Sequence, residues 1–233
     1  NTGFGGLSDI RIPPDKLAKL QLNIVRSHSA GVGAPFDEAE VRTIMLLRAQ
    51  VLANGYSGVR PRVVTMLLQF LNKNILPRIP QKGSVGASGD LAPLAHLALC
   101  LIGEGEVFYQ NRQMSGGAAL KAAGIPPLTL TGREGLALIN GTQVMAAISA
   151  LNVLRAYRLF VLFDTAAALS VEAVQASKKA FHPLIHNLRP HTGQRLVANN
   201  IWKLIHDSDI QKNHQNCGKI QDAYSFRCIP QVH

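Results

Sequence analysis

The strongest constraint on this chain is the run Gly83-Ser84-Val85-Gly86-Ala87-Ser88-Gly89-Asp90, which stands directly before the apolar segment Leu91 to Ile102. Glycine recurs at 83, 86 and 89, so the backbone is free to adopt positive φ and to bend where a side chain would clash. Pro93 suits the first turn of a helix, and Asp90 stands where an N-cap would. The pattern predicts a tight loop feeding a buried helix.

Within the loop, Ala87-Ser88-Gly89 holds the atoms of an electrophile. In a sharp bend the unhindered Gly89 nitrogen can attack the Ala87 carbonyl carbon, close a five-membered ring and lose water. A second dehydration turns the Ser88 Cβ into an exocyclic methylidene, giving 4-methylidene-imidazol-5-one (MIO), an electrophile that ordinary side chains do not supply. A bare Ala-Ser-Gly is far more often a plain turn. The longer string from Gly83 to His96, however, resembles the signature of the MIO-dependent aromatic amino acid ammonia-lyases, and that resemblance implies that Ala87, Ser88 and Gly89 form MIO here.

Composition narrows the remaining classes. The 233 residues, 47% apolar and 16% charged, suit one or two domains with a real core and exclude disorder. The net charge of +10 raises nucleic-acid binding, but the basic residues are scattered and only 6% of the chain is aromatic, so a solvated surface or an attraction for anionic substrates is favoured. Cys100, Cys217 and Cys228 lack metal-ligand spacing and make a poor disulfide framework, which points to a reducing cytoplasm. No charge-free apolar run is read as reaching the roughly 18 residues of a membrane span, so a soluble protein is expected. The chain opens at Asn1 without an initiator methionine and reads as a piece of a longer one.

Taken in order, Asn1 to Gly6 is a glycine-rich entry loop. A helix from Asp15 places Leu17, Leu20 and Ile24 on one face and ends in a glycine-rich turn, Arg26 to Gly33. Asp37 and Glu40 form a capping box, with a staple between Phe36 and Val41, for a helix whose buried face carries Val41, Ile44, Leu47, Arg48 and Val51 and which stops at Asn54-Gly55. Pro61 opens another through Val64, Leu67, Leu68 and Leu71, and Pro77 and Pro80 lead into the loop. Glu106 to Tyr109 with Asn111 to Gln113 predicts a hairpin, the only sheet. No dinucleotide fingerprint or P-loop is present. Asn140 reads as a buried asparagine at a helix start, and residues 142–175 as one helix of roughly 50 Å, apolar on more than one side and buried among several helices, including those of other subunits. His182, His186 and His191 lie between prolines without a completing ligand, so a structural loop is preferred to a metal site, and Thr192 to His206 returns to helix.

The family resemblance extends over the whole chain. The string Asn1-Thr2-Gly3-Phe4-Gly5 is similar to the loop these lyases place over their active site, which a candidate catalytic tyrosine precedes. Ser27-His28 matches the substrate-selecting pair of the histidine-specific members, where His28 would hydrogen-bond an imidazole ring. Glu134 to Gln143 matches a second signature, implying that Asn140 holds the ring oxygen or the substrate. Lys219 to His233 matches a third, implying that Arg227 clamps the substrate carboxylate, Tyr224 moves protons or binds the amine, and Gln221 contacts the polar side chain.

The resulting expectation is a mainly α fold, a long-helix bundle of the ammonia-lyase/fumarase-like type with a small β-hairpin near the catalytic loop. One partial lyase domain is divided into 1–135, the loop region, and 136–233, the long helix and active-site tail. The implied reaction converts L-histidine to trans-urocanate and ammonia in a cytoplasmic homotetramer, with MIO and no metal or nucleotide, and with no nucleic acid or membrane as partner. The alternatives are a phenylalanine or tyrosine lyase, an aminomutase, or a helical assembly module whose loop never cyclises. The family's C-terminal part, including an acidic site residue, is not in this sequence, so the chain by itself is expected to lack a complete site.

Overall fold

The computed structural model describes residues 2–214, 218 and 220–233, so Asn1, Cys217 and Lys219 lie outside the described residues. The chain forms two compact units, residues 1–151 and 152–233.

In the first unit α1 (Leu17–His28) buries the expected Ile24 together with Gln21 and Val25, while Leu17 and Leu20 are only partly buried. Its face is turned because Gln21 points inward, where its Oε1 accepts from the Gly135 amide at 2.9 Å. The following residues make a short strand, β1 (Val32–Pro35), where only a turn was expected. Next, α2 (Glu38–Ala53) opens on the predicted capping box: the Glu40 amide donates to Asp37 Oδ1 at 2.8 Å and the Asp37 amide to Glu40 Oε2 at 2.9 Å. It stops at Asn54, followed by Gly55 at φ +83°. Pro61 occupies the first turn of α3 (Pro61–Asn72). That helix buries Val63, Met66, Leu67 and Phe70, while Leu68 is exposed. Apolar residues stand on both of its faces, and the one carrying the larger Phe70 and Met66 turns inward.

The strands β2 (Leu76–Pro77) and β3 (Pro80–Lys82) precede the glycine loop, and α4 (Leu91–Leu101) follows it. Pro93, Leu94, Ala95, Leu97, Ala98, Cys100 and Leu101 are all buried, so α4 is enclosed on several sides, as its unbroken apolar sequence requires. Each such leucine contributes about 1.5–3 kcal/mol by leaving water. The hairpin of β4 (Glu106–Tyr109) and β5 (Arg112–Ser115) forms as expected, turning through Gln110 and Asn111, both at positive φ. It is not the only sheet. β2 extends it to three strands, and β1 pairs with β3 in a separate antiparallel ribbon, Val32 opposite Lys82. After α5 (Gly116–Ala123) and α6 (Glu134–Ile139) comes α7 (Gln143–Ala173), whose first residues complete this unit.

The second unit holds the rest of α7, then α8 (Pro183–Asn187), α9 (Thr192–Leu204), α10 (Asp209–Asn213), α11 (Tyr224–Arg227) and α12 (Ile229–Val232). Val171, Phe181, Val197, Ile201, Ile205 and Ile229 form its core. The histidine-rich stretch is built into this scaffold. His182 Nδ1 accepts from the Leu184 amide, and buried His186 lies between the Ala180 carbonyl and the Gln194 side chain, each at 3.0 Å.

The middle of α7 is left uncovered by this chain alone: Val153, Leu154, Tyr157, Phe160, Leu162 and Phe163 are all at least half exposed. Apolar residues cover every side of the helix there, more than one neighbouring element could screen. The stretch Glu134–Ala173 is also long and apolar enough to cross a membrane, by length and composition alone, contrary to the expectation that no such run exists. Residues 135–154 are free of charge, with Asn, Gln, Thr and Ser interspersed among the apolar ones.

Candidate active site

The loop expected to be reactive joins β3 to α4, and its three glycines all take the predicted positive φ: +151° at Gly83, +71° at Gly86 and +125° at Gly89. Each is also closely approached, Gly89 most of all. A β-carbon on Gly83 would lie 3.0 Å from the Gly31 Cα, one on Gly86 3.2 Å from the Met145 Sδ, and one on Gly89 2.9 Å from both the Asn140 Oδ1 and the Gly141 nitrogen. The loop is thus laid over the start of α7 and the turn before it, while Ala87 and Ser88 form an exposed bend and Gly89 is buried.

Asp90 fastens the loop's end. It stands at the N-cap position of α4 as expected, yet its side chain makes no cap bond to that helix. The fully buried carboxylate serves α7 instead: the Val144 and Met145 amides both donate to Oδ2 at 3.0 Å, and the Ser84 hydroxyl donates to Oδ1 at 2.6 Å. One acidic group therefore satisfies orphan amides at a helix start and ties the loop back on itself. The Asp90 amide donates to the Gly141 carbonyl at 2.7 Å.

Asn140 is not a buried residue at a helix start. It is exposed and closes α6, with φ −94° and ψ 103°, because Gly141 and Thr142 interrupt the helix before α7 begins. It lies beside Gly89, the neighbour the resemblance implies. Arg48 reaches the same turn from α2: Nη1 donates to Gln143 Oε1, and Nη2 donates to the Ala137 carbonyl and, at 3.1 Å, to the Asn140 carbonyl. Burial pushes the Arg48 guanidinium down to about 10, which leaves it charged at neutral pH.

Ser27 and His28 form the last residues of α1. The His28 Nδ1 lies 2.8 Å from the Ile24 carbonyl, which can only accept, so Nδ1 carries a hydrogen, and in the neutral ring Nε2 is then the acceptor. The turn beyond is joined to the loop through the β1–β3 ribbon and through His96 of α4, whose Nε2 accepts from the Gly31 amide at 3.1 Å. Burial, followed by the charge of Arg78, holds His96 below its ordinary 6.5, which preserves the neutral acceptor.

The remaining candidates belong to the second unit. Arg227 Nε donates to the Asp222 carbonyl at 2.9 Å, and the guanidinium carbon stands 5.6 Å from the centre of the exposed Tyr224 ring. Gln221, Asp222 and Arg227 line a cleft of about 330 Å³ with Ser177, Lys179 and Gln231. His28, Ala87, Ser88, Gly89 and Asn140 are residues of the first unit, and Gln221, Tyr224 and Arg227 of the second. Among the described residues no group of three or more His, Cys, Asp or Glu could hold a metal ion.

The family model of aromatic amino acid lyases matches residues 1–233. The chain belongs to the aromatic amino acid lyase family. Histidine ammonia-lyase of Koribacter versatilis (strain Ellin345) is 53% identical over 232 residues, covering 100% of this chain and 45% of that protein. Among solved structures, phenylalanine aminomutase of Pantoea agglomerans superposes with a TM-score of 0.91 at 38% identity over 100% of this chain and 48% of its own. Histidine ammonia-lyase from Trypanosoma cruzi gives 0.86 at 44% identity over 95% and 41%. The fold is that of the ammonia-lyases and aminomutases, and the chain spans about half the length of the curated relatives it matches.

The MIO group implied by this lyase family fits the residues present. Ala87 and Ser88 lie in an exposed bend, and the nitrogen that would close the ring belongs to a glycine held at φ +125° with no room for a side chain. Sequence reasoning does not single out the side-chain roles of Asp90, Arg48 and His96. For Arg48 a signal was present, a lone charge within the stripe Val41, Ile44 and Leu52.

Proposed function

We propose that the complete protein eliminates ammonia from L-histidine to give trans-urocanate, with MIO formed from Ala87, Ser88 and Gly89. The observation that carries this reading is the loop 83–90, whose three glycines at positive φ press its reactive tripeptide toward Asn140 and the start of α7. Relatives named histidine ammonia-lyase, at about half identity over the whole chain, support the substrate class.

MIO supplies an electron-poor carbon that makes the substrate's amine a better leaving group. In this reading the chain's own residues solve the other problems. Arg227 binds the carboxylate with its planar fork and fixes the substrate's orientation. Tyr224, beside that guanidinium, holds the amine or passes a proton as the β-hydrogen is removed. Asn140 offers an amide next to Gly89 to hold the ring oxygen or the substrate. Gln221 and the free lone pair of His28 Nε2 contact the imidazole, a polar ring that an apolar pocket would not select. The exposed apolar middle of α7 supports a homotetramer in which other copies cover it, and the composition and buried free thiol of Cys100 support a cytoplasmic setting.

The likeness to a phenylalanine aminomutase supports a second reading, in which ammonia returns to the β-carbon. One experiment separates the two. The complete protein is given L-histidine, L-phenylalanine and L-tyrosine in turn, with urocanate absorbance and amino acid products followed together. Urocanate from histidine alone is expected, whereas a β-amino acid product, or turnover of tyrosine in preference, overturns the assignment.

A further inference from the structure

Arg48 stands on α2 in a stripe otherwise made of Val41, Ile44, Met45, Ala49 and Leu52, and only 2% of it is exposed. An apolar side chain would fill that stripe without the cost of burying a charge. The guanidinium is not even fully satisfied, since its buried Nε has no partner. Packing of α2 therefore gives no reason for an arginine. The other two nitrogens supply one, because they grip the turn between α6 and α7 at Ala137, Asn140 and Gln143. That turn puts Asn140 and Gly141 against Gly89. It is closed so tightly over Arg48 that a β-carbon on Gly141 would overlap Nη1 and the Gln143 Oε1.

We propose that Arg48 is a positioning residue for the elimination: by holding the carbonyls of Ala137 and Asn140 and the side chain of Gln143, it fixes where the Asn140 amide stands over the reactive loop. The inference rests on the lyase reading and on Asn140 acting at the site. Arg48 acts through Asn140 and does not touch substrate. A lysine keeps the charge but gathers its donors on a single nitrogen, so it cannot reproduce the planar fork that spans three separate acceptors.

The test is a double-mutant cycle in the complete protein with Arg48→Lys, Asn140→Ala and the pair. Assembled size, kcat, KM for L-histidine and the mass of the peptide bearing Ser88 are measured for each. Arg48→Lys is expected to keep its assembled size and the mass decrease of about 36 Da that two dehydrations leave. Its kcat should fall by up to about 100-fold, as misplacement of a site group by a distant change can cause, with KM little moved. In the Asn140→Ala background the same change should cost less than about threefold, because the group it positions is gone. Equal losses in both backgrounds, an unchanged kcat, or loss of the mass decrease in Arg48→Lys would each overturn the proposal. As a second variant, Arg48→Met with Gln143→Leu removes the charge together with its side-chain partner, and the same fall in kcat is expected. If neither protein assembles, Arg48 serves folding and the proposal is wrong. Absence of the mass decrease in the unmodified protein overturns the lyase reading itself, an outcome distinct from all of these.

Discussion

Gly89 lies against Asn140, so closely that a β-carbon on the glycine would sit 2.9 Å from the Asn140 Oδ1. At φ +125° the backbone is also one that side chains rarely adopt. Gly89→Ala is therefore expected to push the bend away from Asn140 and to hinder attack by its own nitrogen. The intact mass should stay at the encoded value instead of about 36 Da below it, and urocanate formation should be lost. A mass decrease retained in this variant would contradict the part given to Gly89.

Asp90→Asn should destabilise the protein. The substitution leaves one acceptor where the carboxylate now serves three donors, the Ser84 hydroxyl and the Val144 and Met145 amides. An unsatisfied buried donor costs about 1–3 kcal/mol. Thermal melting should record a loss in that range, and Ser84→Ala, which removes only the partly buried bond, should cost less.

Arg227→Lys should act on substrate affinity. A lysine cannot reproduce a bidentate grip on a carboxylate, and a lost charge-assisted bond of about 1.5–3 kcal/mol corresponds to a KM for L-histidine raised about 10–100-fold. Steady-state kinetics on the complete protein checks this, with the mass decrease at Ser88 expected to persist.

Stability should fall in acid in two windows. His96 is held below its ordinary 6.5, so the unfolded chain takes up that proton first; this contribution is whole above pH 6.5 and is lost as pH falls through the folded value. Burial works to raise Glu134, but hydrogen bonds from the Arg60 side chain and the Thr131 and Arg60 amides, with the Arg60 charge, outweigh it and hold the carboxyl below its ordinary 4.5. That contribution is present above 4.5 and is lost lower down. Melting temperature against pH should show both declines. His96→Gln should flatten the upper one and Glu134→Gln the lower.

Features set by neighbours in sequence are legible in the sequence itself. The Asp37–Glu40 capping box, Pro61 at a helix start, the hairpin at 106–115 and the three loop glycines all follow from local backbone rules. What escaped was decided by distant partners. Asp90 reads locally as a cap for its own helix, and its carboxylate is claimed by amides 54 and 55 positions away. The β1–β3 ribbon pairs two segments carrying prolines, which no strand rule selects. Asn140 reads as a helix start because residues 142–175 beyond it hold no proline or glycine, whereas it closes α6 and Gly141 separates that helix from α7. The inward turn of Gln21 and the choice between two apolar faces of α3 likewise depend on what packs against them.

The clasp at Asp90 also imposes a schedule on synthesis. What closes on Gly86 and Gly89, the two glycines flanking Ala87 and Ser88, comes from residues 140–145, which leave the ribosome after the bend itself. A nascent chain extended only through α4 can set Gly83 against Gly31 but has nothing to press Gly86 and Gly89 against. The loop is an unarmed hinge until the downstream helix arrives to cock it.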